Sequence, residues 1–275
     1  MGLRIATNVP AMNAQRNLEA SSQEAAKAMS RLSSGERIVH AGDDAAGLAI
    51  SKKLEGEVRS LQQAQRNAND GVSFVQTAEG SLNEVSNILI RLREIGVQSA
   101  SDTIGDNERT FLDKEFQTLS QEIDRISSVT QFQGKPLING EGGELSFQVG
   151  AHKGGDQLIN YNAAEANATV SALGISGVSV ESRENALDSL ESIDQAANLV
   201  NGYRANLGAL QNRLHSASNT VGNQVENLSE AKSRIADTDI ALEASNLMKS
   251  TIIQNAGIAV LAQANSMSAG ALKLL

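Results

Sequence analysis

The 275-residue chain has no cysteine and no tryptophan, two prolines (Pro10 and Pro136), and aromatic residues at only 3%. Without cysteine there is no disulfide framework, no thiolate nucleophile and no thiolate metal site. With so few helix breakers and so few large side chains, burial has to come from stripes of Ala, Leu, Ile and Val, and the cores are thin. His40, His152 and His215 stand apart with no His-Glu-x-x-His string, and the adjacent Asp43-Asp44 reads as helix-start capping rather than an acid–base pair. No convergent polar cluster remains, so neither catalysis nor a cofactor, metal or small-molecule substrate is expected. The net charge of −9 comes from interspersed acids and bases, with no basic patch to suit nucleic acid. Long apolar runs are also missing. The most apolar window, residues 252–261, contains Gln254 and Asn255 and falls far short of the ~20 residues that span a bilayer. Residues 1–7 lack a secretory signal pattern, and Ala6 stands where a myristoylation site needs Ser or Thr, so export is expected by a route other than signal-peptide cleavage.

What the chain does have is heptads. Ala186, Ile193, Val200, Leu207, Leu214, Val221, Leu228, Ile235 and Leu242 are spaced seven apart with no proline between them. A strict 3.5-residue repeat keeps one stripe turned to a partner helix, and at 1.5 Å per residue this one runs ~85 Å, too long for a ball of this chain length. The partner lies in the same chain. Leu54, Leu61, Ala68, Val75, Leu82 and Leu89 repeat the step, and Ala64, Gly71, Ala78, Val85 and Leu92 repeat it three positions later. Leu228, in the middle of the first series, is expected to be buried.

Around these helices the order is legible. Ala11, Leu18, Ala25 and Leu32 predict an alanine-rich helix to about residue 33, stopped by Ser33-Ser34-Gly35. A long helix follows from Asp43, its expected N-cap, to about Ala100, passing through Asn69-Asp70-Gly71 because the heptad phase survives there. Leu112, Phe116, Leu119, Ile123 and Ile126 mark a third helix. Glycines crowd residues 134–155, and Leu145, Phe147 and Val149 alternate with polar residues as a strand does, with 158–161 as its partner. Residues 163–181 read as loop with one further short strand. From about Arg183 the long heptad helix begins and carries on into a tail bearing Ile253, Ala256, Val260, Ala264, Met267, Ala271 and Leu274. The predicted fold is mainly α: a long antiparallel coiled-coil helical rod (45–235) with a small β-hairpin segment (about 134–180), plus paired N- and C-terminal helices (1–44 and 236–275).

The strings MSRLSSGERIVHAGDDAAGLAIS (29–51) and SRIADTDIALEASNLMKSTIIQNAGIAVLAQAN (233–265), with residues 67–99, closely resemble bacterial flagellins. The resemblance covers nearly all of the chain but its middle, where only about fifty residues separate the third helix from the return helix. That implies a short form lacking the large outer domains. It also implies a structural subunit, exported unfolded through the flagellar type III channel, that polymerises head-to-tail into the extracellular filament used for swimming. Expected partners are further copies of itself, the flagellar cap, hook-filament junction proteins and a flagellin export chaperone. Sibling flagellins and a Toll-like innate receptor are further candidates. The receptor contact is carried over onto Arg91, Ile95 and Glu115 within and beside RLREIGVQ (91–98). Ile95 stands where recognised flagellins carry Leu, and Gly96 where Ala is usual; the alternative is a face that packs the rod or the next subunit.

The physics of the ends agrees. Both are amphipathic and rich in small residues, and each buries too little apolar area to offset its conformational entropy alone. They are expected to fold on assembly, with inter-subunit packing through Leu18, Met29, Leu32, Ile253, Val260, Met267, Leu274 and Leu275, and to line the bore of a tube. Head-to-tail contacts that do not close generate a filament rather than a ring. Asn167-Ala-Thr169 and Asn227-Leu-Ser229 match the N-glycosylation pattern by coincidence on this reading. A hook-filament junction protein, and a soluble coiled-coil signalling module resembling a chemoreceptor, are the rival structural readings.

Overall fold

The computed structural model describes the backbone of residues 7–272 and the side chains of residues 7–267. Five helices and four strands follow one another: α1 (Val9–Ser34), α2 (Ala45–Ser99), α3 (Asp106–Val129), β1 (Gln131–Phe132), β2 (Lys135–Pro136), β3 (Glu144–Gln148), β4 (Leu158–Asn162), α4 (Arg183–Ala236) and α5 (Ile240–Leu272). This is the mainly helical architecture that the heptads predict. The chain forms two compact units. One joins the N-terminal part through Gly56 with the part from Asn227 onward, and the other is Glu57–Glu226. The division thus falls inside α2 and α4, whereas the expected domain boundaries lie at 44/45 and 235/236.

In the second unit α2 and α4 pair antiparallel. Asn69 meets Ser218, Gly71 meets Leu214, Arg93 meets Asp194 and Gly96 meets Leu190, partner numbers falling as the others rise. The facing stripes are Leu61, Ala64, Ala68, Val75, Ala78, Leu82, Val85, Leu89 and Leu92 from α2, and Ala186, Ile193, Ala196, Val200, Leu207, Leu210, Leu214 and Val221 from α4, all buried. Gly71 explains why Asn-Asp-Gly does not turn here: it is packed inside the helix, and a Cβ on it would sit 3.0 Å from Leu214 and Phe147. In the first unit, further along the same two helices, Leu54, Leu228 and Ile235 are only half-buried, which corrects the expectation for Leu228.

Against this pair lie α3, through Phe116 and Ile123, and a β segment whose strands are too short to stand alone. β3 and β4 pair with Leu145 opposite Tyr161 and Phe147 opposite Ile159, the hairpin that the alternation predicts. Phe74 is ringed edge-on by Phe132, Phe147 and Tyr161 at 5.7–6.0 Å, so four of the seven aromatic rings form one cluster. Burial there pushes the Tyr161 phenol up to about 12. Two features escaped the sequence reading. β1 and β2 form a tight hairpin whose turn puts Gln133 and Gly134 at positive φ. Residues 163–181 carry no further strand; Asn167 instead bridges to Asn139, and Ala168, Val170, Leu173 and Ile175 plug the core. Arg109, itself buried, donates to the Ser99 and Ser101 carbonyls at 2.9 and 3.0 Å and closes the C-terminal end of α2.

In the first unit α1 starts with an Asn8 cap that accepts the Ala11 N–H at 3.1 Å, and stops at Gly35 in the left-handed region, as expected. The start of α2 needs a correction. Asp44, not Asp43, caps it by accepting the Gly47 N–H at 2.8 Å, while Asp43 accepts the His40 and Val39 N–H groups of the preceding turn. The His40 N–H is the main cause of an Asp43 carboxyl held below its usual range. A second correction concerns the long heptad helix, which is not continuous. Asp237-Thr238-Asp239 breaks it, Asp239 capping α5 through the Ala241 and Leu242 N–H groups. Leu242, ninth in the heptad series, is therefore exposed on the next helix. The two breaks are tied together: Arg37 N–H donates to the Ala236 carbonyl, Thr238 N–H to Gly35, and the Arg37 guanidinium to Ile235.

Candidate assembly surface

α1 and α5 pack side by side through a seam of small and polar groups. From α1 come Ala14, Ser21 and Ala28, buried, interleaved with half-buried Ala11, Leu18, Ala25 and Leu32. From α5 come Glu243, Leu247, Ser250, Gln254, Gly257, Leu261 and Ala264, alternating in steps of four and three. Polar groups bridge the two helices. Ser21 Oγ donates to the Ser250 carbonyl at 2.9 Å, Gln254 Nε2 to Ser21 at 3.2 Å, Asn8 Nδ2 to Ala264 at 3.0 Å, and Arg31 reaches Glu243 at 3.4 Å. Leu18 packs over Gly257 of α5 at ordinary van der Waals distance.

Apart from Leu18, Leu32, Leu247 and Leu261, most of the large apolar side chains of these helices point elsewhere. Val9, Met12 and Met29 of α1, with Ile240, Leu242, Met248, Ile252, Ile253, Ile258, Val260 and Met267 of α5, are exposed. α5 is thus apolar around most of its circumference while turning its least apolar stripe to α1. A helix apolar all round belongs in the interior of something larger. Of the residues expected to pack between subunits, Met29, Ile253, Val260 and Met267 are on this outer surface, and Leu18 and Leu32 are in the intrachain seam. Leu274 and Leu275, and the side chain of Ala271, lie outside the described residues. The spacing that marked Ile253, Val260 and Met267 as a stripe was real, but that stripe faces away from α1.

On the second unit Arg91 and Glu115 are both exposed and joined directly, Nη2 to Oε1 at 2.7 Å, with Glu94 adding a contact to Arg91 at 2.9 Å. The Glu115 bond, then the Glu94 bond, holds the guanidinium above its usual range. Ile95 is a correction: it is fully buried, as is Gly96, whose missing side chain admits Leu190 and Ser189 of α4. One turn of helix rotates 95 about 40° from 91 plus a full revolution, which is enough to carry it from the rim into the seam. Phe111, Ile90 and Val97 are the exposed apolar groups of this region. Among the described residues no group of acids and histidines is placed to hold a metal, and no helix is long and apolar enough to cross a membrane.

Comparison with known proteins assigns the family. The family model described as the bacterial flagellin N-terminal helical region matches residues 5–142, and that of the C-terminal helical region matches 190–275. The chain is 41% identical to the flagellin of Halalkalibacterium halodurans over 98% of both chains. It is 38% identical to a flagellar filament core protein of Brachyspira hyodysenteriae over 98% of this chain and 99% of that one. Among solved structures, the Bacillus cereus flagellin superposes with a TM-score of 0.50 at 28% identity, covering 61% of this chain and 94% of that chain. The near full-length matches are to flagellins and a filament core protein, which supports the filament reading over its rivals. The chain belongs to the bacterial flagellin family, as a short member without outer domains, and is a structural subunit that self-polymerises into the flagellar filament.

Proposed function

We propose that the outward apolar surface of α1 and α5 is the face through which copies of this chain pack in the filament. The observation that carries this is the inversion in α5: Ile252, Ile253, Ile258 and Val260 are exposed, while Ser250, Gln254 and Gly257 face α1. Burying four such side chains releases about 1.5–3 kcal/mol each, enough to drive ordered stacking. The paired helices are on this reading the assembled form of the two ends, ordered by their neighbours. Ile253→Asp or Val260→Asp should abolish filaments, seen by electron microscopy after salt-induced assembly, with circular dichroism of the free subunit unchanged. Filaments of normal length from either variant overturn the reading.

The same reading includes export of the unfolded chain through the flagellar type III channel, a chaperone that covers the apolar C-terminal helix until then, and contacts with the cap and junction proteins at the filament's ends. Sibling flagellins share the surface if they co-assemble. Arg91 and Glu115 are the exposed residues of a receptor contact that neighbouring subunits cover in the filament. Arg91→Glu should lower receptor signalling in reporter cells exposed to free subunits; unchanged signalling removes the site.

A further inference from the structure

Methionine is distributed unevenly. Of the five in the chain, Met1 lies outside the described residues, and the other four sit on α1 or α5 with relative exposures of 57% (Met12), 61% (Met29), 69% (Met248) and 60% (Met267). The buried core of the second unit is built from Val, Leu, Ile, Ala and Phe and contains none. A thioether is apolar and flexible, which suits packing against an irregular neighbour, and it is the one side chain here that a mild oxidant turns polar. The core that keeps the subunit folded therefore has nothing to oxidise, whereas the surface that joins subunits does.

We propose that Met12, Met29, Met248 and Met267 are sites of reversible oxidation that govern assembly: the free subunit is oxidisable, its sulfoxide form joins the filament less readily, and assembly shields the same four sulfurs. This rests on the assembly-face reading. The co-reactant is hydrogen peroxide. The sulfur lone pair attacks one peroxide oxygen, an S–O bond forms as the O–O bond breaks, and the proton of the attacked oxygen passes to the departing hydroxide, which leaves as water; the sulfur is oxidised by two electrons and the peroxide reduced by two. The S=O group then has to enter an apolar contact without a hydrogen-bond partner, which is unfavourable.

The test uses full-length protein and hydrogen peroxide. Free subunits and preformed filaments receive the same dose, and mass spectrometry of peptides counts oxygen on each methionine. The four sites are expected to oxidise at least about tenfold more slowly in filaments, and oxidised subunits to show a critical concentration for assembly raised about tenfold, equivalent to ~1.4 kcal/mol. Thermal unfolding of the second unit should not shift, and reduction by the two methionine sulfoxide reductases should restore assembly. The variant carrying Met→Leu at all four positions, a volume-conserving change, should assemble whatever the dose. Equal oxidation rates in subunit and filament, an unchanged critical concentration after oxidation, or a Leu variant that remains peroxide-sensitive overturns the proposal. Met29→Glu separates the two levels. If it assembles normally, the assembly-face reading fails; if it blocks assembly while sulfoxides do not, only the oxidation proposal fails.

Discussion

A single leucine position shows how unevenly the α2–α4 seam contributes. Leu214 is fully buried against Gly71 and its neighbours, and Leu214→Ala is expected to destabilise the subunit by about 3 kcal/mol. Leu228, same residue type and same heptad phase, is half-buried, and Leu228→Ala should cost about 1 kcal/mol. Urea unfolding of the two variants side by side measures the difference; equal losses would mean that the seam is uniformly packed. Tyr161 supplies a pH dependence. Its phenol titrates near 10 when unfolded and is pushed up to about 12 by burial, so the folded state retains the proton longer. Its contribution is therefore complete below pH 10 and is lost as pH rises toward about 12. Tyr161→Phe should flatten that part of the stability profile, with melting temperatures from pH 9 to 12 as the check.

At the level of elements, helix ends decide where the chain bends. Asp239 accepts two N–H groups at the start of α5, and Asp239→Ala should cost about 1 kcal/mol, read as a lower melting temperature of the helical signal. The sequence Asp-Thr-Asp carried this signal, but the unbroken heptad phase through Ile235 and Leu242 outweighed it. Arg109 serves the other end of α2. Arg109→Ala leaves the Ser99 and Ser101 carbonyls without their guanidinium donor and should cost about 2 kcal/mol in urea unfolding, with Arg109→Lys recovering only part because one ammonium cannot span both acceptors. The pairing of α1 with α5 shows the limit of periodicity as a guide. Heptad spacing identifies a stripe, but the stripe of α5 that faces α1 mixes polar, small and leucine side chains, while its largest apolar side chains face outward.

For the whole molecule, the thin α1–α5 seam and the thick α2–α4 core predict two levels of protection. Amides of α1 and α5 should exchange rapidly in free subunits and become strongly protected in filaments, while the second unit is protected in both states. Hydrogen exchange by mass spectrometry checks this, and slow exchange of both terminal helices in the free subunit would mean that the polar seam alone holds them. Deleting either end should abolish filaments while the 57–226 unit still unfolds cooperatively.

Much of this was determined by the sequence itself: the helical class, the pairing of α2 with α4, the β3–β4 hairpin and the Gly35 stop. Each follows from local spacing or from one residue's conformational range, and such signals survive without knowledge of the neighbours. Tertiary structure alone decided the rest. Ile95 and Arg91 lie in one short stretch of polar and apolar residues, and only the close approach of Leu190 over Gly96 shows which of them is buried. Residues 163–181 have no period, and they became core because Ala168, Val170, Leu173, Ile175 and Val180 pack into the same cluster as the α2, α3 and α4 side chains. The outward turn of Ile253 and Val260 was likewise settled by packing, since two helices joined by small residues come close enough for backbone and side-chain hydrogen bonds that bulky residues would prevent.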